Sequence, residues 1–410
     1  MKSLSLWQDQ ESRKTLEEAI EETISAFHKT NAWQYAIWDI GYSGGKDSTA
    51  LVTLLAHLLA SGRLPRPKRI VVQYADTGME VPPLQQSALH ILHQLKQQGF
   101  ETQVVRPALD DRFFVYMFGR GVPPPNNGRM RWCTRILKAK PMSVALEAAS
   151  GGLKSLVITG VRDGESIARD ERIVAACSKD SGECGQGYLH VKYENSSVAD
   201  ALAPIRGWRV CHVYDWLSLY APGYGFDTST IAEVYGYNSQ NGQDEPLNAR
   251  TGCMECRLVH EDHMMERVLA LPKYQYLAPI RCLRMLYEEL TQDHMRLQKD
   301  GTQRLKDGGM PANLYRKGPL TMEARRYGLA QVKAIQAEVN TLARAQDISS
   351  VSLISPEEEN RIEELIAANT WPQGWTGTEP LASTFQEPEI QPEAIQLDWE
   401  TTLAGQDIWE

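Results

Sequence analysis

The stretch that decides the fold is IGYSGGKDSTALVTLLAHLLASG, residues 40–62. An apolar segment ends in two glycines, a lysine and an aspartate, and leucines at helical spacing follow. The free N–H groups and the dipole at the start of such a helix form an anion site, and glycines let the backbone approach phosphate oxygens. The spacing differs from the GxxxxGK[ST] of the Walker loop. Residues 43–48 are therefore predicted to bind phosphate, with a tight turn and helix cap as the alternative.

Apolar segments alternate with helical ones around this loop. Strands are predicted at 35–40, 69–74, 102–105 and 155–159, and helices at 11–30, 82–98 and 141–149. This alternation predicts an α/β fold in which a parallel twisted sheet has helices on both faces. Ligands bind outside the carboxyl ends of the strands in such sheets. From about residue 207 onward the pattern is mainly helical.

Composition sets limits on the function. The chain has 410 residues, 42% hydrophobic and 23% charged, with a net charge of −9. Such a charge argues against a uniformly basic nucleic-acid binder. No apolar run is long enough to span a membrane and the N-terminus lacks a secretory apolar core, so a cytoplasmic location is expected. Structural disulfides are not expected in that reducing compartment.

Four regions follow from the composition. We expect an N-terminal helix (1–32), a nucleotide-binding domain with a cysteine-rich metal site (33–260), a helical domain (261–370) and an acidic irregular tail (371–410). Lysines and arginines are concentrated between 264 and 344. This basic section is compatible with nucleic-acid contact or with solvated faces of helices.

Four further motifs follow the glycine loop in order along the chain. They are Asp76-Thr77-Gly78-Met79-Glu80; Arg131-Trp132-Cys133-Thr134 with Lys138 and Pro141; Gly160-Val161-Arg162 with Glu165, Ser166 and Arg169; and Pro204-Ile205 with Trp208. Together with the SGGKDS loop, the chain resembles the PP-loop ATP pyrophosphatases over residues 36–256. The resemblance is to their phosphoadenylylsulfate (PAPS) reductase-like branch, and it implies the HUP fold of adenine nucleotide α-hydrolases.

The resemblance assigns roles to residues of this chain. It implies catalytic roles for Lys46, Asp47 and Arg162. The nucleotide, ATP or adenylyl sulfate (APS) or PAPS, would be bound with Mg²⁺ by Ser43, Gly44, Gly45, Lys46, Asp47, Ser48, Asp76, Thr77, Gly78, Glu80, Lys138, Gly160, Arg162, Glu165 and Arg169. Arginine suits the oxyanion end of a nucleotide because its guanidinium binds in a bidentate way.

Cysteines mark a second centre. Cys253 and Cys256 form a chelating CxxC, and Cys133 lies in the RWCT motif. In iron–sulfur reductases of the resembled branch, a cysteine pair at the RWCT position joins a distant CxxC around a [4Fe–4S] cluster. The resemblance therefore implies Cys133, Cys253 and Cys256 as ligands, with Cys184 or Cys177 as the fourth.

The metal itself has an alternative. Four thiolates suit zinc as well as an iron–sulfur cluster, and Cys177, Cys184, Cys253 and Cys256 would make a structural zinc site. Cys211 and Cys282 lie in apolar helical surroundings and are expected to be core residues.

Three functions remain open. The first is ATP pyrophosphatase activity that adenylates an acceptor for sulfur transfer, similar to the DNA-phosphorothioation sulfurtransferases. The second is a sulfonucleotide reductase. Such reductases carry a catalytic cysteine in a C-terminal ECGxH-like string; here Glu183-Cys184-Gly185 followed by His190 lies mid-chain. The third is a nucleotide-binding subunit of a defence or modification complex without turnover. DNA or another nucleic acid, a cysteine desulfurase and thioredoxin are the partners implied.

Overall fold

The structure is a computed structural model, and it describes residues 14–126, 130–163, 188–192, 198–235, 253–259, 262–299, 301, 309 and 317–385. A six-stranded sheet lies at its centre, in the order β3-β2-β1-β4-β6-β5. The strands are β1 (Ile37–Tyr42), β2 (Ile70–Ala75), β3 (Glu101–Val105), β4 (Ser155–Thr159), β5 (Tyr188–Lys192) and β6 (Val198–Leu202). All neighbours are parallel except β5, which runs antiparallel to β6 at one edge.

Helices cover the sheet as the alternating pattern predicts. They are α1 (Leu16–Lys29), α2 (Lys46–Ala60), α3 (Pro82–Gln97), α4 (Lys140–Ser150), α5 (Val210–Asp215) and α6 (Ser229–Val234). Two π-helical turns, Val115–Gly119 and Thr134–Ala139, lie between β3 and α4. Thr15 and Glu18 form a capping box at the start of α1, which satisfies helix N–H groups that would otherwise lack partners.

The register of β1, β2 and β4 determines where the sequence motifs lie on the sheet. Tyr42 of β1 pairs with Tyr74 of β2, and Gly41 pairs with Thr159 of β4. The carboxyl ends of these three strands are therefore level with one another. The glycine loop, the Asp76 segment and the Gly160 segment follow them directly, so the parallel sheet brings three motifs far apart in sequence to one edge.

The region after residue 262 is mainly helical and packs onto the sheet domain. Its helices are α7 (His263–Ala270), α8 (Cys282–Glu289), α9 (Met322–Arg344) and α10 (Pro356–Ala367), and its two short antiparallel strands are β7 (Arg296–Gln298) and β8 (Lys317–Leu320). α10 contacts the π-helical turn that ends at Gly119. A Cβ at Gly119 would lie 2.7 Å from Cδ1 at the end of the Leu365 side chain, so this turn and α10 pack closely.

A single hydrophobic cluster runs through both regions. It includes Leu55 of α2, Ile40 of β1, Val332 of α9 and Ile362 of α10. Within the described ranges, no helix combines the length and the apolar composition needed to cross a membrane.

Candidate nucleotide site and the neighbouring cysteines

The glycine loop provides no side chain at the N-cap of α2. Gly45 is the N-cap, in extended conformation, and makes no side-chain cap hydrogen bond. Asp47 and Ser48 lie inside the first turn, so neither is the N-cap. Ser48 donates a hydrogen bond to the Gly45 carbonyl (3.1 Å) and lies 3.1 Å from the Ser43 hydroxyl. An uncapped N-terminus of this kind is an anion site.

Two glycines let the backbone pack closely around the loop. Gly44 has φ +73°, and a Cβ there would lie 2.8 Å from the Ala88 side chain of α3. Gly160, directly after β4, lies so close to α2 that a Cβ would come within 2.9 Å of the Ser48 Cα. Both positions require glycine, the first for its conformation and both for space.

Three charged side chains meet at the first turn of α2. The Arg162 Nε donates to Asp47 Oδ1 at 2.6 Å, and the Lys46 Nζ lies 3.1 Å from Asp47 Oδ2. Arg162 is 3% exposed and also donates to the Trp208 carbonyl (3.2 Å). The carboxylate thus orients two cations beside the phosphate loop, and hydrogen bonds at such charged groups are strong.

Tyr235 completes this side of the loop. Its ring lies under the Lys46 ammonium, 5.2 Å from the ring centroid, and its hydroxyl accepts from the Lys46 N–H at 3.4 Å. The aromatic ring therefore holds the lysine in place by a cation–π contact. Tyr235 follows the short helix α6 and belongs to no motif, so no sequence pattern points to its contact with Lys46.

The Asp76 segment is held from both sides. Asp76 is buried and accepts from the Gly78 N–H, from Gln85 and from the Arg106 Nε, the last at 2.7 Å. Glu80 accepts from the Thr77 hydroxyl at 2.6 Å. Burial raises the pKa of Glu80, while the Thr77 hydrogen bond and the Lys138 charge oppose that rise. Neither Gln85 nor Arg106 belongs to a motif, so sequence reasoning missed both partners.

The cysteines lie close to this segment. The Met254 N–H, inside the CxxC, donates to the Met79 carbonyl at 2.7 Å. Burial raises the pKa of Cys253 to about 12, and Glu80, Cys256 and Cys133 add to the rise. Burial also raises the pKa of Cys133, again with a contribution from Cys256. Because these thiols contribute to one another's pKa, they lie near one another. The Met254–Met79 hydrogen bond places the CxxC next to the Asp76 segment.

Aromatic side chains lie near the thiols: Trp132 directly precedes Cys133, and burial raises the pKa of Tyr287, with contributions from the charges of Cys253 and Cys256. Phe113 stacks on Trp132 with ring centroids 5.4 Å apart, and its ring lies 5.8 Å from that of Tyr287. The buried Tyr287 hydroxyl and Glu255 Oε1 have no hydrogen-bond partner among the described residues. Such a half-buried setting, with soft thiols and orphaned polar atoms, suits a bound group.

Metal geometry is not formed by these residues alone. Within the described part of the chain, no group of three or more His, Cys, Asp or Glu side chains is arranged to hold a metal ion. Cys177 and Cys184, predicted as alternative fourth ligands, lie outside the described residues, as do Glu165 and Arg169.

Residues 39–221 match the family model described as "Phosphoadenosine phosphosulfate reductase domain". This stretch is similar to the PAPS reductase domain family. No curated protein matches.

Solved structures also show similarity. The PAPS reductase from Candida auris, in a phosphate complex, is 10% identical and has a TM-score of 0.31; the match covers 52% of this chain and 88% of that one. The U34-tRNA thiolase from Methanococcus maripaludis, with its [4Fe-4S] cluster, is 15% identical with a TM-score of 0.35, covering 75% and 89%. The NAD+ synthetase from Burkholderia pseudomallei is 17% identical with a TM-score of 0.31, covering 78% and 88%.

The structure places most of the predicted nucleotide residues at one edge of the six-stranded sheet. The loop, Asp76 to Glu80, Gly160 and Arg162 all lie there. Lys138 is exposed, and its charge opposes the rise in the pKa of Glu80 and of Cys253. Cys211 is buried as expected of a core residue, whereas Cys282 is half-buried.

Proposed function

We propose that the chain is an ATP pyrophosphatase of the PAPS reductase-like family that activates an acceptor by adenylation for sulfur transfer. The observation that carries the proposal is the first turn of α2, where Lys46 and Arg162 flank Asp47 beside an uncapped helix N-terminus. Both Asp47 oxygens are paired with these cations, and the three groups together carry one net positive charge beside the loop. This arrangement therefore suits the polyphosphate of a nucleotide.

The chemistry follows from these positions. The loop N–H groups and the Ser43 hydroxyl would bind the β- and γ-phosphates. A nucleophile on the acceptor attacks the α-phosphorus, the bond to the β-phosphate oxygen breaks, and pyrophosphate leaves. Lys46 and Arg162 would stabilise the negative charge that develops on the leaving group, since fixed cations in a buried site act strongly. The loop would also accelerate the reaction by holding the phosphates in position for attack.

Two bound groups belong to this proposal. Mg²⁺ would be held by the Asp47 carboxylate and the nucleotide phosphates, because oxygen ligands suit this ion. Cys133, Cys253 and Cys256, with Cys184 or Cys177, would hold a [4Fe–4S] cluster or zinc. An iron–sulfur cluster, when bound, supplies a site for sulfur or electron chemistry beside the nucleotide.

The acceptor and the sulfur donor are proposed by class. A nucleic acid such as DNA is the acceptor that the resemblance to phosphorothioation sulfurtransferases suggests. A cysteine desulfurase is the donor that the same resemblance suggests.

A sulfonucleotide reductase is the second candidate, because residues 39–221 match a reductase domain model. The same loop would then bind APS or PAPS without cleaving it at the α-phosphorus, and thioredoxin would supply electrons. A nucleotide-binding subunit without turnover is the third.

One set of assays separates the three. Anaerobically purified protein is incubated with ATP and Mg²⁺, with and without DNA, and AMP and pyrophosphate are measured. Pyrophosphate release supports the proposal; sulfite release from APS or PAPS with thioredoxin supports the reductase instead. Nucleotide binding without either product indicates the non-catalytic subunit.

A further inference from the structure

A cavity of about 400 Å³ lies beside the edge strand β3, apart from the phosphate loop. Its walls come from the segment after β3 and from the second π-helical turn with α4. The lining residues are Asp111, Tyr116, Arg120, Arg135, Ile136, Lys140, Ser143 and Val144. A cavity of this size is large enough for a small ligand or for one nucleotide unit of a strand.

The cavity is cationic in a chain whose net charge is −9. Three cations and one carboxylate line it, an excess of two positive charges. Asp111 is buried and bonded by Lys140 at 2.6 Å and by Arg120 at 3.1 Å. The carboxylate therefore lies beneath two more exposed cations and orients them, rather than facing the opening.

Two further groups are available to a ligand. The Arg135 side chain is exposed, and no ion pair or hydrogen bond engages its guanidinium within the described residues. The Ser143 hydroxyl oxygen is buried and has no hydrogen-bond partner there either. A guanidinium and a hydroxyl are the donors that phosphate oxygens accept from.

An aromatic surface adjoins the cations. The Arg120 guanidinium lies 4.7 Å from the centroid of the Tyr116 ring, and that ring lies 4.6 Å from the ring of Trp132. Tyr116 and Trp132 are both partly exposed. Cations next to aromatic faces are typical of sites that bind the backbone and bases of a nucleic-acid strand.

The cavity is connected to the proposed reaction centre by one short element. The π-helical turn Thr134–Ala139 contributes Arg135 and Ile136 to the cavity, and its Lys138 acts on Glu80 and Cys253. The element that contributes Arg135 and Ile136 to the cavity therefore also carries Lys138, one of the predicted nucleotide-binding residues.

From this geometry we propose that the cavity binds a phosphate group of the acceptor, with Arg135, Lys140 and Ser143 as its donors. The identification of the ligand as the acceptor rests on the proposed function. The binding of phosphate rests on the cavity alone.

The test measures binding without turnover. Full-length protein is saturated with a non-hydrolysable ATP analogue, so that the loop at residues 43–48 is filled. Fluorescence anisotropy of a labelled short single-stranded DNA and calorimetry with inorganic phosphate then measure the remaining phosphate binding. Arg135→Gln is compared with Arg344→Gln, which removes an exposed guanidinium that bonds its own helix at the Asn340 carbonyl.

We expect Arg135→Gln to weaken DNA binding about tenfold. The slope of log binding constant against log salt concentration should become shallower by about one, as loss of one phosphate contact predicts. Arg344→Gln should bind like the unmodified chain. If inorganic phosphate binds, DNA does not, and Arg135→Gln weakens the binding of phosphate, the ligand is a small phosphate-bearing molecule. Binding of neither probe, or equal effects of both substitutions, would overturn the proposal. If the protein does not cleave ATP, the proposed function fails, but phosphate binding in the cavity is unaffected.

Discussion

At the scale of single residues, Arg162 is the side chain on which the loop depends most. It is buried, bonded to Asp47, and fixed at the Trp208 carbonyl. We expect Arg162→Gln to lower the rate of pyrophosphate release about 100- to 1000-fold, as loss of one preorganised charge-stabilising donor does. Steady-state kinetics with ATP measures this.

Arg206→Gln is the matched control for Arg162. Arg206 makes the same type of bond, from its Nε to Asp163 Oδ1 at 2.7 Å, but to an exposed carboxylate outside the loop. Equal losses of activity in the two variants would show that Arg162 acts through the fold alone.

Asp39 gives a prediction on pH. It lies in β1, is 3% exposed, and its Oδ2 has no hydrogen-bond partner among the described residues. Burial raises the pKa of Asp39 to about 7, only partly offset by Arg69. The folded protein then holds a proton that the unfolded chain releases above its ordinary pKa. Stability therefore falls as pH rises from about 4 to about 7 and levels off above that.

Asp39→Asn should remove the loss of stability that accompanies rising pH, because asparagine has no carboxyl group to ionise. We expect the variant to be more stable than the unmodified chain by about 2 to 4 kcal/mol at pH 8, and the difference to shrink towards zero near pH 4. Urea unfolding at several pH values measures it. Asp227→Asn should show no such gain, because hydrogen bonds from Ser229 lower the pKa of Asp227. A pH-independent difference for Asp39→Asn would contradict the account.

At the scale of elements, the contact between β4 and the start of α2 sets the shape of the loop. Gly160→Ala places a Cβ 2.9 Å from the Ser48 Cα and 3.0 Å from its N, both backbone atoms that cannot move aside cheaply. We expect nucleotide affinity to fall at least tenfold, because the first turn of α2 must shift. Calorimetry with a non-hydrolysable ATP analogue measures the change.

Gly41→Ala is the control for the same sheet edge. A Cβ at Gly41 would meet the Ile158 carbonyl at 3.9 Å, an ordinary contact. Its nucleotide affinity should be close to that of the unmodified chain. If Gly160→Ala binds as well as Gly41→Ala, the close approach does not shape the site.

The elements also show how far sequence reasoning reaches. β2 and β4 were predictable because each is a short, mainly apolar run between helical segments, and the prediction for β4, 155–159, matches its bounds. The edge strand β3 reads ETQVV and is apolar only at its end. Strands β5 and β6 were missed. β6 reads VADAL, with a buried aspartate, Asp200, in the middle, so it lacks the continuous apolar run expected of a strand beside β4.

A contact between two side chains could be predicted from the sequence only where both residues belong to motifs. The Asp47–Arg162 pair joins residues 115 positions apart, yet both belong to motifs that follow parallel strands, so their meeting follows from the fold. Tyr235, Arg106 and Gln85 reach the same edge through packing of elements without motifs, and no local pattern encodes that.

At the scale of the whole molecule, Arg325 joins the helical region to the sheet domain. It is fully buried in α9 and donates to the carbonyls of Phe118, Gly119 and Thr370, the first at 2.6 Å. Burial lowers the pKa of Arg325 to about 10. Its removal would leave buried carbonyls without donors in two parts of the chain.

We therefore expect Arg325→Met to lower the free energy of unfolding by about 3 to 5 kcal/mol, as breaking a buried charged network does. The exposed neighbour gives the control, Arg326→Met, which should change it by less than about 0.5 kcal/mol. Denaturant unfolding, followed by circular dichroism and by tryptophan fluorescence, measures both. Loss of the helical region alone, in a separate early transition, would contradict a shared core.

The central claim is that the loop at residues 43–48 presents ATP for cleavage at the α-phosphorus. The most direct measurement uses anaerobic protein, Mg²⁺ and ATP labelled at the α-phosphate, with chromatographic separation of AMP from ADP. The account predicts that pyrophosphate is released and that the α-label leaves ATP in an equal amount, as free AMP when water is the nucleophile and as acceptor-bound adenylate when DNA is; both are lost in Lys46→Ala. Formation of ADP, or no cleavage under any of these conditions, would contradict it.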